Sequence, residues 1–355
     1  MIPTLEHLDP ATLGAFDDII DVRSPAEFVE DQVPGAINLP VLDNEERARI
    51  GTIYVQESRF LARRIGAAVV ARNIAGHLDG ALKDKPGSYA PLIYCWRGGQ
   101  RSNAMATVLS QVGWRPTVVA GGYRTYRRRV TEALYDAPAG FRVVLLDGFT
   151  GSAKTDILHC LTGLGVQILD LEGLAGHRGS LFGGHAARPQ PSQKLFESRL
   201  LAAIEALDPD RPVVVEAESS KIGEINLPPG LWKAMQDAPR VEIRASRAER
   251  ARYLTVAYGD IAVDAEALMS ALAKLPRHHS AEQRAAWRAM AEARDFTALA
   301  ESLIEHHYDP AYERSRRQDA RPLLGVITAP TLDPADLEQA ARRIHALLES
   351  RPEAP

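Results

Sequence analysis

The sequence predicts an α/β protein of two domains, each built on a parallel sheet, with a mainly helical C-terminal region. Three observations carry this. Short apolar runs alternate with stretches of helical periodicity, the pattern of parallel strands joined by crossover helices. Two of those runs pass through a glycine-containing loop directly into a helix: Leu92-Ile93-Tyr94-Cys95 through Trp96-Arg97-Gly98-Gly99-Gln100, and Val143-Val144-Leu145-Leu146-Asp147 through the loop that begins at Gly148. Between them Ala137-Pro138-Ala139-Gly140 reads as a linker, so the domains are expected at 1–138 and 139–355.

The elements follow in order. Ile19-Ile20-Asp21-Val22 is a strand, and Ser24-Pro25-Ala26-Glu27 opens a helix with a cap, a proline at the first position and a glutamate at the third. Residues 44–82 carry helical spacing, Leu61, Ile65, Ala68 and Val69, with no strong breaker before Gly76. A helix is expected from Arg101 and a strand at Thr117-Val118-Val119. Beyond the linker, Val166-Gln167-Ile168-Leu169, Val213-Val214-Val215-Glu216 and Val241-Glu242-Ile243 are strands separated by helical patterns, and a short Pro/Glu tail ends the chain at Arg351 to Pro355.

Composition narrows the function. With 355 residues, 45% of them hydrophobic, and two cysteines, the chain is neither a disordered segment nor a disulfide scaffold. No apolar run approaches the ~18 residues of a membrane span, and Met1 to Glu6 lack the pattern of a signal peptide, so a cytoplasmic protein away from membranes is expected. A net charge of −4 excludes a uniformly basic coat but leaves room for a local basic face. Arginines cluster at Arg124 to Arg129, Arg240 to Arg252 and Arg314 to Arg317, by default solvated helix faces.

Cys95 ends an apolar strand and opens a loop returning through Gly98 and Gly99 to Arg101-Ser102 at a helix start. Backbone N–H groups around such a loop and the positive end of the helix favour the thiolate. Cys160, in the apolar helical run Ile157 to Leu161, reads as packing. Asp21-Val22-Arg23-Ser24-Pro25-x-Glu27-Phe28, Val33-Pro34-Gly35-Ala36-Ile37-Asn38-Leu39-Pro40, the Cys95 loop and Gly121-Gly122-Tyr123 resemble rhodanese-type sulfurtransferases over about residues 10 to 135. The resemblance implies a nucleophilic Cys95 carrying sulfur or selenium, and a structural ion pair between Asp21 and Arg23. Gln32 stands where that family usually shows His. Cys95-x5-Arg101 also fits cysteine-dependent phosphatases, against which Tyr94 argues, since those usually carry His there.

Gly148-Phe149-Thr150-Gly151-Ser152-Ala153-Lys154-Thr155 follows a strand and precedes a helix, the setting of a phosphate-binding P-loop. Lys154 is expected on the terminal phosphates, the amides of Gly151, Ser152, Ala153, Lys154 and Thr155 around the oxygens, and Mg²⁺ at Thr155 if a metal binds. Ala153 replaces the second fixed glycine, putting a methyl group where backbone approaches phosphate, and a modest loss of affinity is expected from it. Glu216 ends a strand where such proteins often carry a metal- or water-orienting carboxylate; it reads equally as a solvated strand end.

Together the two halves resemble the tRNA 2-selenouridine synthase family over nearly the whole chain. Besides both loops, Gly121 to Arg127, the run Asp170 to Ser180 and the run Val215 to Gly223 carry the likeness, with departures at Ala153, Ala217 and Ser220. The resemblance implies a transferase that replaces sulfur by selenium in 2-thiouridine at the tRNA wobble position (U34), with selenophosphate as donor and geranyl diphosphate as a co-substrate. A selenophosphate supplier is an expected partner, and no tightly bound cofactor is expected. Cys95, Arg97 and Arg101 would act in selenium delivery or release of the geranylthio group. Tyr123, Arg124, Tyr126, Arg127 and Arg128 become expected tRNA contacts, although the two tyrosines fit packing under a helix equally well. Asp170, His177 and Arg178 are expected to face a ligand. The alternative is a P-loop kinase fused to a thiosulfate-type sulfurtransferase.

Overall fold

A computed structural model describes residues 2–136, 140–180, 183–184, 189–259, 265–275, 279–317 and 319–350. The linker residues Ala137 to Ala139 and the tail Arg351 to Pro355 lie outside them. The chain forms two compact units, Met1–Asp136 with Ser192–Glu205, and Ala137–Pro191 with Ala206–Pro355. The main break falls at Asp136/Ala137, beside the expected cut at 138/139, and the helix Gln193–Glu205 groups with the first unit.

The first unit holds β1 (Thr4–Leu5), β2 (Ile19–Asp21), β3 (Ala36–Asn38), β4 (Leu92–Tyr94) and β5 (Thr117–Val119) in the order β1-β5-β4-β2-β3, all parallel. β2 and β4 are buried along their whole length, as continuous apolar runs in a covered parallel sheet must be. Ile20, Val22, Ile93, Met105, Leu109 and Val118 fill the core beside Cys95. The stretch expected to be helical over 44–82 is two helices, Asn44–Gln56 and Arg59–Asp79. The break comes at Ser58, which leaves the helical conformation to cap the second helix by accepting from the Leu61 N–H.

The second unit is a five-stranded parallel sheet of β6 (Val143–Gly148), β7 (Gln167–Leu169), β8 (Val213–Glu216), β11 (Arg240–Arg244) and β12 (Leu323–Thr328), ordered β12-β11-β6-β8-β7. A two-stranded antiparallel ribbon, β9 (Lys221–Ile222) with β10 (Ile225–Asn226), projects after β8. β12 falls inside the region expected to be mainly helical; its apolar run Leu323 to Thr328 completes the sheet edge beside β11. The helices Ala265–Ala273, Ala281–Glu292 and Phe296–Leu303 pack around Trp287, Leu272, Leu299 and Leu303 as a small apolar cluster of their own. Among the described residues no helix is long and apolar enough to cross a membrane.

Candidate active site

Cys95 follows directly on the buried β4, and its Sγ is nearly enclosed. The Gly99 N–H donates to Sγ at 3.3 Å and the Ser102 hydroxyl lies 3.3 Å from it. Burial works against the thiolate, yet Ser102 and the N–H groups of Ser102, Arg97 and Gly99 outweigh it, so the pKa falls below that of an ordinary thiol. The loop is closed from the far side by Gly121-Gly122. Gly122 sits at φ +62, where a Cβ would come 2.2 Å from the Cys95 carbonyl oxygen and 2.4 Å from the Gly98 nitrogen. Only glycine permits that approach, and it lets the Tyr123 N–H donate to the Cys95 carbonyl at 2.8 Å.

Beneath the loop the expected Asp21–Arg23 pair forms at 2.6 Å, fully buried. Arg23 also donates to the Asp31 carbonyl, lies 4.1 Å from the centre of the Tyr123 ring, and so ties β2 to the segment after Gly122. Trp96 stacks on the other side of Tyr123, ring centres 5.2 Å apart. Arg97 is exposed in the loop, whereas Arg101 donates to Glu27 at 2.8 Å and anchors the helix start to the helix Pro25–Glu30.

Of the two readings of the tyrosines, the structure shows the packed one. Tyr123 and Tyr126 are 3% and 2% exposed, and the Tyr123 hydroxyl donates to Asp31 at 2.6 Å. Of the expected phosphate contacts nearby, Arg127 pairs with Glu197 and Arg129 pairs with Glu205, both on the helix Gln193–Glu205, while Arg124 and Arg128 stay exposed. In the other clusters Arg314 and Arg317 stay exposed, but Arg240 is buried among Asp147, Glu242 and Asp319, Arg250 pairs with Asp309, and Arg316 pairs with Glu242. These paired arginines hold the sheet's neighbours together and are not solvated faces.

In the second unit β6 runs into the phosphate loop. Gly151 lies at φ +83, and a Cβ there would meet Leu254 at 2.9 Å and the Arg250 carbonyl at 3.0 Å. Ala153 holds the left-handed conformation, φ 56 and ψ 33, directly before the helix Lys154–Thr162. Its methyl group is buried in the hydrophobic core with Leu146, Ile157 and Ile243, while the residue also lines the cleft beside Lys154. Lys154 Nζ donates to the Gly148 carbonyl at 3.2 Å, folded across the loop it is built to serve. Arg250 reaches the Thr150 carbonyl at 3.2 Å from behind.

Carboxylates line the other wall. Thr155 Oγ1 donates to Glu172 at 3.0 Å; Glu216 is fully buried, accepts from the Leu171 N–H at 3.1 Å, and leaves Oε1 without a hydrogen bond. This corrects the solvated-strand-end alternative. Burial, then the charges of Asp170, Glu172 and Glu218, push the Glu216 pKa well above the carboxylate range. Burial and Glu172 push Glu218 up to about 8. Asp170 caps the helix Leu171–Ala175 through the Gly173 N–H and meets His159 at 2.8 Å. His177 packs between Gly183 and Gly223, and the Arg178 guanidinium lies 5.0 Å from the Tyr258 ring centre. Among the described residues no group of three or more Asp, Glu, His or Cys is arranged as a metal cage.

Lys154, Thr155, Glu172, Arg178 and Glu218 line one cleft of about 410 Å³. A second pocket of about 80 Å³ shares Thr150, Ser180, Leu254 and Tyr258 with it and is otherwise walled largely by Leu268, Phe296, Leu299 and Leu303. Sequence reasoning missed this apolar pocket. Phe296, Leu299 and Leu303 carry only the helical spacing of a core stripe, and more than a hundred residues separate them from the loop they approach.

A low-pKa thiol loop on one parallel sheet and a phosphate loop on another define a rhodanese-like domain joined to a P-loop domain. The family descriptions agree: a rhodanese-like domain matches residues 6–129, and the AAA domain of tRNA 2-selenouridine synthase matches residues 141–272. A tRNA 2-selenouridine synthase of Bordetella petrii is 35% identical over 340 residues, 84% of this chain and 87% of that protein. Those of Aeromonas salmonicida and Nitrosomonas europaea are 39% and 35% identical, over 68% and 62% of this chain. In these two the match spans 65% and 58% of the relative's length, short of two thirds. The chain belongs to the tRNA 2-selenouridine synthase family.

Proposed function

We propose that the chain replaces the sulfur of 2-thiouridine at the tRNA wobble position by selenium, through an S-geranylated intermediate. The observation that carries this reading is the apolar pocket opening off the phosphate-loop cleft. A diphosphate on Lys154 and the loop amides would direct an attached hydrocarbon chain toward the apolar wall of Leu254, Phe296 and Leu303, which is poor for the polar edges of a purine; at about 80 Å³ the pocket would have to widen to take the whole geranyl chain. This disfavours the kinase alternative.

The chemistry balances in two steps. The thiocarbonyl sulfur attacks C1 of geranyl diphosphate, forming C–S and breaking C–O; diphosphate leaves and N3 of the base loses its proton. Selenium of selenophosphate then attacks C2, the geranylthiolate leaves and takes a proton, and water removes the phosphoryl group from selenium. Lys154 and the loop N–H groups stabilise the charge on departing diphosphate. Cys95, with Arg97 and Arg101, serves the second step, in selenium delivery or geranylthiol release. Thr155 and Glu216 offer the hard oxygen donors that suit Mg²⁺, which would take its other ligands from diphosphate and water. When bound, that ion would add positive charge against the leaving group. A reduced, cytoplasmic setting suits a free Cys95.

The test is mass analysis of nucleosides from 2-thiouridine tRNA incubated with geranyl diphosphate and selenophosphate, singly and together. Geranylated and then selenated uridine are expected; an unchanged nucleoside with both donors intact, or ATP consumption, overturns the reading. For Cys95→Ala, geranylation is expected to persist and selenation of geranylated tRNA to be lost. Wild-type selenation by that variant would remove Cys95 from the chemistry.

A further inference from the structure

An RNA substrate must have its phosphates neutralised, and in the arginine clusters that the sequence brings forward most members pair with carboxylates, leaving Arg124, Arg128, Arg314 and Arg317 exposed without such a partner among the described residues. Another element supplies unspent charge. From Arg59 to Leu78 the helix Arg59–Asp79 contains no Asp or Glu, while it carries Arg59, Arg63, Arg64 and Arg72. All four are exposed, and among the described residues none pairs with a carboxylate. Arg72, nine positions beyond Arg63, points to the opposite side, whereas Arg59, Arg63 and Arg64 fall within one flank of the helix. In a chain of net charge −4 this is a concentrated positive stripe.

The same end of that helix exposes what a folded protein ordinarily hides. Phe60 is 76% exposed, Val55 82% and Tyr54 42%, on either side of the Ser58 break, and the Arg59 guanidinium lies 5.6 Å from the Tyr54 ring centre. The two helices pack on each other, with Ile53 of the first and Ala62 and Gly66 of the second buried and Ile50 lying beside Gly66, while the rings stay exposed. Phe60, Arg63 and Arg64 fall at positions i, i+3 and i+4, on one face.

We infer that this face binds single-stranded RNA, with Arg59, Arg63 and Arg64 against the backbone and Phe60 and Tyr54 stacked on unpaired bases. Rings with a positive stripe are the combination that grips unpaired nucleotides, because every base has a π-face and every linkage a charge. Charge also argues against a second copy of the chain as the occupant: a twofold contact would set three arginines against three. The inference rests on the tRNA reading above, for which it supplies a docking surface.

The full-length chain is titrated with tRNA carrying 2-thiouridine over a range of salt, as wild type, R63Q/R64Q, Phe60→Ala and Phe60→Trp. R63Q/R64Q is expected to lower the slope of log K against log salt by about 1.4. Phe60→Ala is expected to weaken binding about tenfold with the slope unchanged, and Phe60→Trp to restore it. All substituted side chains are exposed, and a thermal melt checks that each variant is folded. Unchanged affinity and slope, with wild type binding, would place RNA elsewhere and overturn this inference alone. A changed oligomeric state with unchanged RNA binding would assign the face to a second copy. A wild-type chain that binds no tRNA would bring down the functional reading as well.

Discussion

The two loops that follow β4 and β6 begin from the same plan and end in opposite conditions. Each leaves a buried parallel strand, turns through a left-handed residue and enters a helix whose N–H groups point back into the turn. Around Cys95 the convergence is already occupied: Gly99 and Ser102 meet the sulfur, and Gly122 presses on the outside. Around Lys154 it surrounds a cleft, and the lysine rests on the carbonyl of Gly148. One loop closes on a thiol of its own chain; the other stays open to a cleft. The difference teaches that an anion cradle does not by itself identify a ligand, and that what fills it in the folded chain has to be read before a role is assigned.

The comparison breaks most sharply at Lys154. If the second loop serves an incoming diphosphate, Lys154→Ala should lower single-turnover geranyl transfer by two to three orders of magnitude, a loss typical of removing one donor to developing charge. Alkylation of Cys95 by iodoacetamide should be unaffected. Gly122→Ala tests the other loop. A methyl group 2.2 Å from the Cys95 carbonyl oxygen cannot be accommodated, so the loop must open, at a cost of about 2–4 kcal/mol and with a slower reaction of the thiol. Gly35 is the control: it too has a positive φ, +77, but has nothing within 4 Å of a Cβ, so Gly35→Ala should cost only about 1 kcal/mol of backbone strain. Equal denaturation midpoints for the two variants would show that the clamp does not matter.

A smaller effect sharpens the contrast through pH. Glu218, pushed up to about 8 by burial and Glu172, is neutral below that value and charged above it. Ionisation puts a negative charge beside an incoming anion, so affinity for pyrophosphate, measured calorimetrically with a chelator present, should fall as pH rises from about 7 to about 9. Glu218→Gln should flatten that fall. The thiol loop moves in the opposite sense, since higher pH adds to its reactive form.

Both loops were legible because their chemistry is local: a strand, a few glycines and one reactive side chain lie within about ten residues. What was not legible depends on distance along the chain. Tyr123 and Tyr126 look like exposed aromatics among arginines until Asp31, Trp96 and Arg23 close around the first and the core takes in the second. Arg127 and Arg129 look free until Glu197 and Glu205, about seventy residues on, meet them. β12 was hidden because a single apolar run among helices is ambiguous until a neighbouring strand accepts its register.

Ala153 is where the loops' shared plan is least well served, and its replacement should have the smallest effect. Left-handed backbone costs a non-glycine residue about 1 kcal/mol, which Ala153→Gly would recover. The same change removes a methyl group buried against Leu146 and Ile157, worth about 0.8 kcal/mol. The two terms nearly cancel, so the melting temperature should move by no more than a few degrees. Because the methyl lies in the core, pyrophosphate affinity should also stay within about twofold of wild type. A large gain in affinity would mean that the methyl does stand between the loop amides and the phosphate, and that this cradle is less open than the cleft beside Lys154 implies.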